Sequence, residues 1–219
     1  MARTVALVGA LHPAARELAL ALEDDPGVGR VLGLSRHEPP LLGPKFEFVP
    51  AGPGDPAFAE ALAGVDTVVL FPLIDAADRD EEGRRARVVD GTRRTLEAAA
   101  GAATVVLWSS GVVYGAHPDN PVPIPETHPT RPNPEFPAAG VLAESERVAL
   151  EAFPGDGPEG RSLVVLRGAG VWAPSWGTFL SRSLMAPAMV GVRGLDPPLQ
   201  CLPPADAVSA LVLAASGRL

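Results

Sequence analysis

Short apolar runs alternate along this chain with stretches in which apolar positions recur at helical spacing. The apolar runs predict six buried strands: Val5–Val8, Val31–Leu34, Phe46–Val49, Val65–Phe71, Thr104–Trp108 and Leu163–Leu166. The stretches that predict helices are Pro13–Leu22, Asp55–Leu62, Asp80–Ala100 and Ala138–Phe153. Continuous apolar runs are typical of parallel strands that helices cover on both faces. The alternation therefore predicts an α/β fold, a doubly wound parallel sheet with helices on both faces, in one domain over residues 1–219.

The composition excludes several classes of partner. A formal net charge of -8 does not attract nucleic acid. Cys201 is the only cysteine, so neither a disulfide within the chain nor a cysteine metal cluster can form, and the 4 histidines include no i, i+4 pair. No apolar run reaches the roughly 18 residues that span a bilayer. We therefore expect a cytoplasmic protein with no nucleic-acid, membrane or metal partner.

Several segments of the chain carry motifs in a fixed order. They are Val65–Val69, Gly91-Thr92 with Leu96–Ala99, Trp108–Gly115, Leu166–Val171 and Leu202–Ala207. Together they resemble the extended short-chain dehydrogenase/reductase (SDR) family, which includes nucleotide-sugar epimerases and dehydratases. The resemblance implies a Rossmann-like fold and a homodimer through the helices at 80–100 and 138–153. It also implies a C-terminal substrate lobe, which is reduced here to about residues 174–204.

The first turn departs from the family motif TGxxGxxG. The glycines of that motif let the backbone approach a cofactor diphosphate. Only Gly9 remains here, and His12 and Ala15 occupy the other two glycine positions. The side chain of His12 is expected to project toward the diphosphate position, where it either blocks the site or, if protonated, pairs with an anion. Blockage is the interpretation that we favour.

The catalytic YxxxK pair of the family is missing as well. Aligning Pro137 and Glu146 with the motif places Ala138 at the tyrosine and Leu142 at the lysine. In the family, the tyrosine is the general acid/base, and the lysine lowers its pKa and holds the nicotinamide ribose. Gly52 stands where the family has an aspartate that binds adenine. These departures imply that hydride transfer is lost and that no cofactor is bound.

Two residues keep NADP binding open as an alternative. Arg36 follows the second strand, where NADP-preferring members of the family hold the 2′-phosphate. Gly9 is the remaining glycine of the phosphate turn. Gly9 and Arg36 are therefore the candidate cofactor-binding residues, as remnants of the family site, although Arg36 can equally be a solvated loop charge.

Open α/β sheets bind ligands beyond the carboxyl ends of their strands. We predict that the catalytic residues there are Ser110, Tyr114 and Asp75, because Ser110 matches the catalytic serine of the family and the other two carry acid–base groups. The predicted substrate-binding residues are His12, His117 and Trp172. Each of these residues also has a purely structural interpretation, as a cap, a loop residue or part of the packing.

Three functions are consistent with this pattern. The first is redox-neutral acid/base chemistry on a small molecule (a cyclase, isomerase or dehydratase) in bacterial secondary metabolism. The second is a non-catalytic pseudoenzyme that binds a metabolite or a protein. The third is an NADP-dependent reductase or epimerase with an atypical site.

Overall fold

A computed structural model describes residues 2–40, 43–72, 80–153, 160–176, 178–188, 194 and 200–218. Within these residues, six strands form one parallel sheet. They are β1 (Arg3–Val8), β2 (Val28–Leu34), β3 (Phe46–Val49), β4 (Thr67–Leu70), β5 (Thr104–Ser110) and β6 (Ser162–Gly168). Their order in the sheet is β3-β2-β1-β4-β5-β6. The doubly wound Rossmann-like sheet that the sequence predicts is therefore confirmed.

The strand order reverses between β1 and β4, which positions the site. The chain winds from β1 outward to β3 and then returns to β4 on the other side of β1. Val8 at the end of β1 pairs with Leu34 of β2 on one side and with Leu70 of β4 on the other. Three carboxyl ends therefore meet at one edge, which is the switch point where such sheets bind ligands.

Helices cover both faces of the sheet, as predicted. They are α1 (Pro13–Glu23), α2 (Pro56–Leu62), α3 (Glu81–Arg85), α4 (Gly91–Ala98), α5 (Pro137–Ala152), α6 (Phe179–Leu184) and α7 (Pro204–Ala215). Phe58 of α2, Leu96 of α4 and Val148 of α5 pack in the apolar cluster on one face. Leu18 of α1 and Leu211 of α7 pack in the cluster on the other face. Burial of both faces explains why the strands are continuously apolar.

The single helix that the sequence predicts over Asp80–Ala100 is interrupted in the structure. A π-helical segment, Ala86–Asp90, lies between α3 and α4. Asp80 caps α3, because its side chain accepts a hydrogen bond from the N–H of Gly83 at 2.9 Å. The π turn holds one more residue than an α turn and so shifts which side chains face the sheet.

The described part of the predicted substrate lobe is small. It contains a 3₁₀ turn at Pro174–Trp176, helix α6 and strand β8 (Cys201–Leu202), which pairs in parallel with β7 (Gly170–Val171). Within the range 174–204, residues 177, 189–193 and 195–199 lie outside the described residues. No helix in the described ranges combines the length and the apolar character that crossing a bilayer requires.

Candidate functional site

A cavity of about 340 Å³ opens at the switch point of the sheet. Its floor consists of the ends of β1, β2 and β4, where Val8, Leu34 and Leu70 are buried. Its wall is the helical stretch from Ala86 to Arg94, including the π-helical segment. Ligand sites of this size are typically apolar with a few convergent polar groups.

The charged side chains that line the cavity all carry the same sign. Among the described lining residues, the charged ones are Arg36, Arg87 and Arg94, and none is an aspartate or a glutamate. A concave site with one sign of charge attracts ligands of the opposite sign. The cavity is therefore suited to an anion, although the chain as a whole carries a net charge of -8.

Gly9 forms the turn between β1 and α1 at the edge of the cavity. Its φ is 88°, in the left-handed region, and its N–H donates to the carbonyl oxygen of Leu34 at 2.9 Å. A Cβ at this position would collide with the carbonyl oxygen of Phe71. The turn therefore requires glycine, and the absence of a side chain leaves the backbone open toward the cavity.

The side chain of His12 turns back onto its own helix. Its Nδ1 accepts the N–H of Ala14 at 3.1 Å and so caps α1. Its ring stacks on Phe71, with 5.3 Å between the ring centroids. Burial lowers the pKa of His12 to about 4, so the ring is neutral at pH 7 and supplies no positive charge. His12 is not among the residues that line the cavity.

The loop between β3 and α2 borders the cavity on the other side. Gly52 lies in it, and its N–H donates to Oδ2 of Asp55 at 2.8 Å. A Cβ built at Gly52 would lie 3.5 Å from Nε of Arg36. Arg94 approaches the same loop from α4, with its Nη1 3.5 Å from the carbonyl oxygen of Pro53. Two guanidinium groups thus meet at one loop.

The carboxyl end of β5 carries two of the predicted catalytic residues. Ser110 ends the strand, is partly exposed, and accepts the N–H of Val112 at 3.4 Å. Tyr114 follows one short turn later and is only 8% exposed. Its hydroxyl accepts an N–H from Arg167 at 2.8 Å. Of the two hydroxyls, that of Ser110 is the more open to a ligand.

Arg167 connects Tyr114 to a buried carboxylate. Its Nη2 lies 2.8 Å from Oε2 of Glu146, which is 2% exposed and also accepts the hydroxyl of Ser109. Burial alone would lower the pKa of Arg167, but its bonds to Glu146 and Tyr114 outweigh burial and raise the pKa. Tyr114, Arg167, Glu146 and Ser109 form one bonded network, which we call the packed network.

The two positions that match the family tyrosine and lysine lie next to this network on α5. Ala138 is 5% exposed and Leu142 is 8% exposed. Leu142 packs with Val113 and Tyr114 in a small apolar cluster. Neither side chain can take up or release a proton, so this part of α5 contributes packing.

The remaining predicted site residues lie apart. Nε2 of His117 lies 2.7 Å from the carbonyl oxygen of Arg131, to which it donates in the tautomer that this contact requires. Trp172 is 39% exposed, and its backbone N–H donates to Leu202. Asp75 lies outside the described residues. No hydrogen bond, ion pair or ring contact within the described part of the chain joins His117 or Trp172 to Ser110.

Two features of the site could not be predicted from the sequence motifs. Arg87 and Arg94 line the cavity, and the arginine-rich helix around them was the available signal. In the sequence, Glu146 was used only to align the YxxxK motif. The structure shows that it is the buried ion-pair partner of Arg167. Among the described residues, no group of three or more His, Cys, Asp or Glu side chains is placed to hold a metal ion.

Comparison with solved structures identifies relatives of this fold. An SDR superfamily protein from Agrobacterium tumefaciens, solved with bound NAD, is 26% identical with a TM-score of 0.65, over 77% of this chain and 50% of its own. MoeE5, solved with UDP-glucuronic acid and NAD, is 25% identical with a TM-score of 0.75, over 97% of this chain and 72% of its own. DesIV, a dTDP-glucose 4,6-dehydratase from Streptomyces venezuelae solved with NAD, is 22% identical with a TM-score of 0.77, over 98% of this chain and 72% of its own. The chain thus spans half of the first relative and less than three quarters of the others.

No model of a known protein family and no curated protein matches the sequence. The structural likeness supports a relationship to the SDR superfamily, as the motifs suggested. It also corrects one expectation. The prediction that no cofactor is bound is wrong, because the neighbours are NAD-bound SDR enzymes and point to NAD binding.

Proposed function

We propose that this chain binds NAD or NADP with the adenosine half in the cavity beside Gly9. One observation carries the proposal, namely the cavity of about 340 Å³ at the switch point, walled by arginines and bordered by a turn that requires glycine. The residues present fit the group, because the floor is apolar and the backbone at Gly9 is open to a diphosphate. Gly9, Arg36 and Gly52 would hold the nucleotide.

Direct titration of the purified protein with NAD and NADP tests this proposal. We expect saturable binding in the micromolar range, about -8 kcal/mol, by calorimetry. Gly9→Ala should abolish it, because the added Cβ collides with the backbone of Phe71. Gly140→Ala is the matched control, since a Cβ there meets nothing within 4 Å. Absence of binding by the wild type up to millimolar nucleotide would overturn the proposal.

We further propose that the chemistry at this site is redox-neutral acid/base chemistry on a small molecule. Bound NAD would supply a hydride acceptor. Ala138 and Leu142, however, replace the tyrosine that carries the proton in the family and the lysine that supplies the positive charge beside that tyrosine. Ser110 is the side chain that we propose as the proton carrier, because it is partly exposed at the end of β5. A cyclase, isomerase or dehydratase of bacterial secondary metabolism would fit this description.

Incubation with nucleotide sugars, the compound class bound by MoeE5, tests the type of reaction. We expect an isomer or a product lighter by one water, with no net change in nicotinamide absorbance, and loss of turnover in Ser110→Ala. Sustained production of reduced nicotinamide would contradict redox-neutral chemistry and favour the reductase alternative.

A non-catalytic role is the second candidate, and the packed network favours it. The hydroxyl of Tyr114 and the carboxylate of Glu146 are both bonded to Arg167, so neither is free to act on a ligand. In that case, the Ser110→Ala variant would behave like the wild type in the cells that make the protein, whereas deleting the whole protein would change an activity of those cells. The homodimer through 80–100 and 138–153, the cytoplasmic location and the single-domain organisation stay predictions.

A further inference from the structure

We infer that Arg84 binds the carboxylate group of a small-molecule ligand beside the first turn of α5. Arg84 belongs to α3 and is not among the residues that line the cavity at the switch point. The inferred site is therefore separate from the proposed nucleotide site, and it does not depend on nucleotide binding.

Arg84 is a buried cation without a counter-ion. The residue is only 6% exposed, and its Nε is enclosed without a hydrogen-bond partner. No side-chain hydrogen bond or ion pair joins its guanidinium to another residue in the described ranges. An arginine side chain stays charged in proteins, so it cannot lower the cost of burial by losing its proton. Such a charge normally has a partner.

The other buried charge of this fold does have partners. Among the charged side chains that the structure describes, Arg84 and Glu146 are the two that are buried. Glu146 pairs with Arg167 and accepts the hydroxyl of Ser109. Even the half-exposed Arg85, next to Arg84 on the same helix, pairs with Glu144 of α5. The lack of a partner at Arg84 is therefore an exception, and a bound anion would explain it.

Arg84 lies on the inward face of the helical stretch, one turn before the cavity wall. It precedes Val88 by four residues, so the two side chains lie on the same side of the helix. Val88 packs in the apolar core and also lines the cavity. The guanidinium of Arg84 thus extends the ligand-binding edge of the sheet beyond the cavity.

The nearest part of α5 is uncharged and begins a long helix. Because α4 and α5 connect successive parallel strands, they run in the same direction, and the hydroxyls of Thr92 and Ser145 meet at 2.7 Å. Counting two turns back from that contact brings Arg84 level with the first turn of α5, residues 137–140. This turn contains no carboxylate, and no side chain caps its N–H groups. The positive end of the α5 dipole therefore adds to the attraction of Arg84 for an anion.

A carboxylate is the ligand group that matches one guanidinium. It carries one negative charge, and its two oxygens accept two parallel N–H bonds from a single arginine. A phosphate monoester carries close to two negative charges at pH 7 and would call for a second cation. The adjacent Arg85 does not supply it, because its guanidinium is engaged with Glu144.

Thermal unfolding in a low-salt buffer tests the site on the wild type, on Arg84→Met and on the matched control Arg85→Met. The probe is sodium acetate, and the reference compounds are sodium chloride and acetamide, which resembles acetate in shape but is uncharged. We expect acetate to raise the Tm of the wild type and of Arg85→Met by about 2–4 °C. Acetamide should have no effect, chloride should have less than half the effect of acetate, and Arg84→Met should lose the response.

The stability of Arg84→Met without acetate gives a second, independent result. Methionine replaces an unpaired buried charge with an apolar side chain of similar length, so the Tm of the variant should be higher than that of the wild type. A structural role such as that of Arg167 predicts the opposite sign. A lower Tm in Arg84→Met, or an acetate response that persists in this variant, would overturn the inference.

Nitrogen-15 NMR of the arginine side chains provides a measurement on the wild type itself, which stays informative if Arg84→Met does not fold. The Nε–H signal of Arg84, assigned with Arg84→Lys, should shift on addition of acetate and not on addition of acetamide. Absence of that shift, or tighter binding of inorganic phosphate than of acetate, would contradict a carboxylate site. Failure of NAD and NADP to bind would leave these results unchanged, so the two proposals can fail separately.

Discussion

The cavity at the switch point and the packed network are built in opposite ways. Gly52 and the guanidinium groups of Arg36 and Arg94 border the cavity, in which no described lining residue carries a negative charge. In the packed network, Tyr114 is bonded to Arg167, and Arg167 is bonded to Glu146. Charged groups without a protein counter-ion are available to a ligand, whereas paired charges stabilise the fold. This difference predicts that substitutions beside the cavity change ligand affinity and that substitutions in the packed network change stability.

The largest expected effect comes from breaking the packed network. Arg167→Ala removes the counter-ion of Glu146, which is 2% exposed, and leaves a buried carboxylate unpaired. We expect the free energy of unfolding to fall by about 3–5 kcal/mol, measured by urea denaturation. The control is Arg147→Ala, whose exposed pair with Glu151 should contribute less than about 1 kcal/mol. Equal effects of the two substitutions would contradict a stabilising role for the network.

The next effect concerns the pH dependence of stability at the phosphate turn. His12 has its pKa lowered to about 4 in the folded state, whereas an unfolded histidine titrates near pH 6.5. As the pH falls from about 6.5 to about 4, His12 is protonated in the unfolded chain but stays neutral in the folded chain. Stability is therefore lost over this window, by about 3 kcal/mol at most.

His12→Asn separates this effect from the titration of other groups. Asparagine also caps helices but does not titrate. The difference in unfolding free energy between the wild type and His12→Asn should therefore grow in favour of the variant below pH 6.5. A difference that is constant between pH 4 and pH 7 would show that the ring is not held neutral.

A smaller effect is expected from placing a carboxylate beside the cavity. Gly52→Asp introduces an acidic side chain beside Arg36, with its Cβ at ordinary contact distance from Nε. The new carboxylate restores the position of the aspartate that binds adenine in the family, but it should also pair with Arg36. NADP binding should therefore weaken about tenfold relative to NAD binding, about 1.4 kcal/mol. Gly52→Asn has nearly the same shape without the charge and should retain most of the affinity. Equal losses in both variants would attribute the effect to size instead of charge.

The smallest effect is expected from removing one hydroxyl of the packed network. Tyr114→Phe removes one hydroxyl that accepts a bond from Arg167. It should cost about 1 kcal/mol of stability and leave the calorimetric affinity for NADP unchanged. A change in nucleotide affinity would show that the cavity and the packed network are coupled.

Much of the fold could be predicted from the apolar pattern. Strands buried on both faces are continuous apolar runs, so Val5–Val8 and Thr104–Trp108 were located within a few residues of β1 and β5. The interruption of the helix over Asp80–Ala100 could not be predicted, because a π turn adds one residue without breaking the apolar pattern. The local backbone there is decided by packing against the sheet and α5.

The site could be predicted only in part. Gly9 and Arg36 were identified from motif positions, and the structure places both at the cavity. Arg94 was missed because nothing in the sequence distinguishes it from the neighbouring Arg93, which pairs with Asp90. The expected absence of a cofactor depended on the motif departures at Ala15, Gly52, Ala138 and Leu142 and on the direction of one side chain, that of His12. Its ring bonds to Ala14 and stacks on Phe71, and sequence alone does not contain that direction.

Because of the π-helical segment Ala86–Asp90, the number of residues between α3 and α4 helps to decide which side chains face the cavity. Deleting one residue from it would restore a continuous α-helix and turn α3 by about 100° relative to α4. The sheet would keep its register, because no strand lies within the deleted turn, while the wall of the cavity would present different side chains. A single-codon deletion at this point would therefore change the ligand-facing surface and, because Val88 and Val89 are buried in the core, the packing against the sheet in the same step.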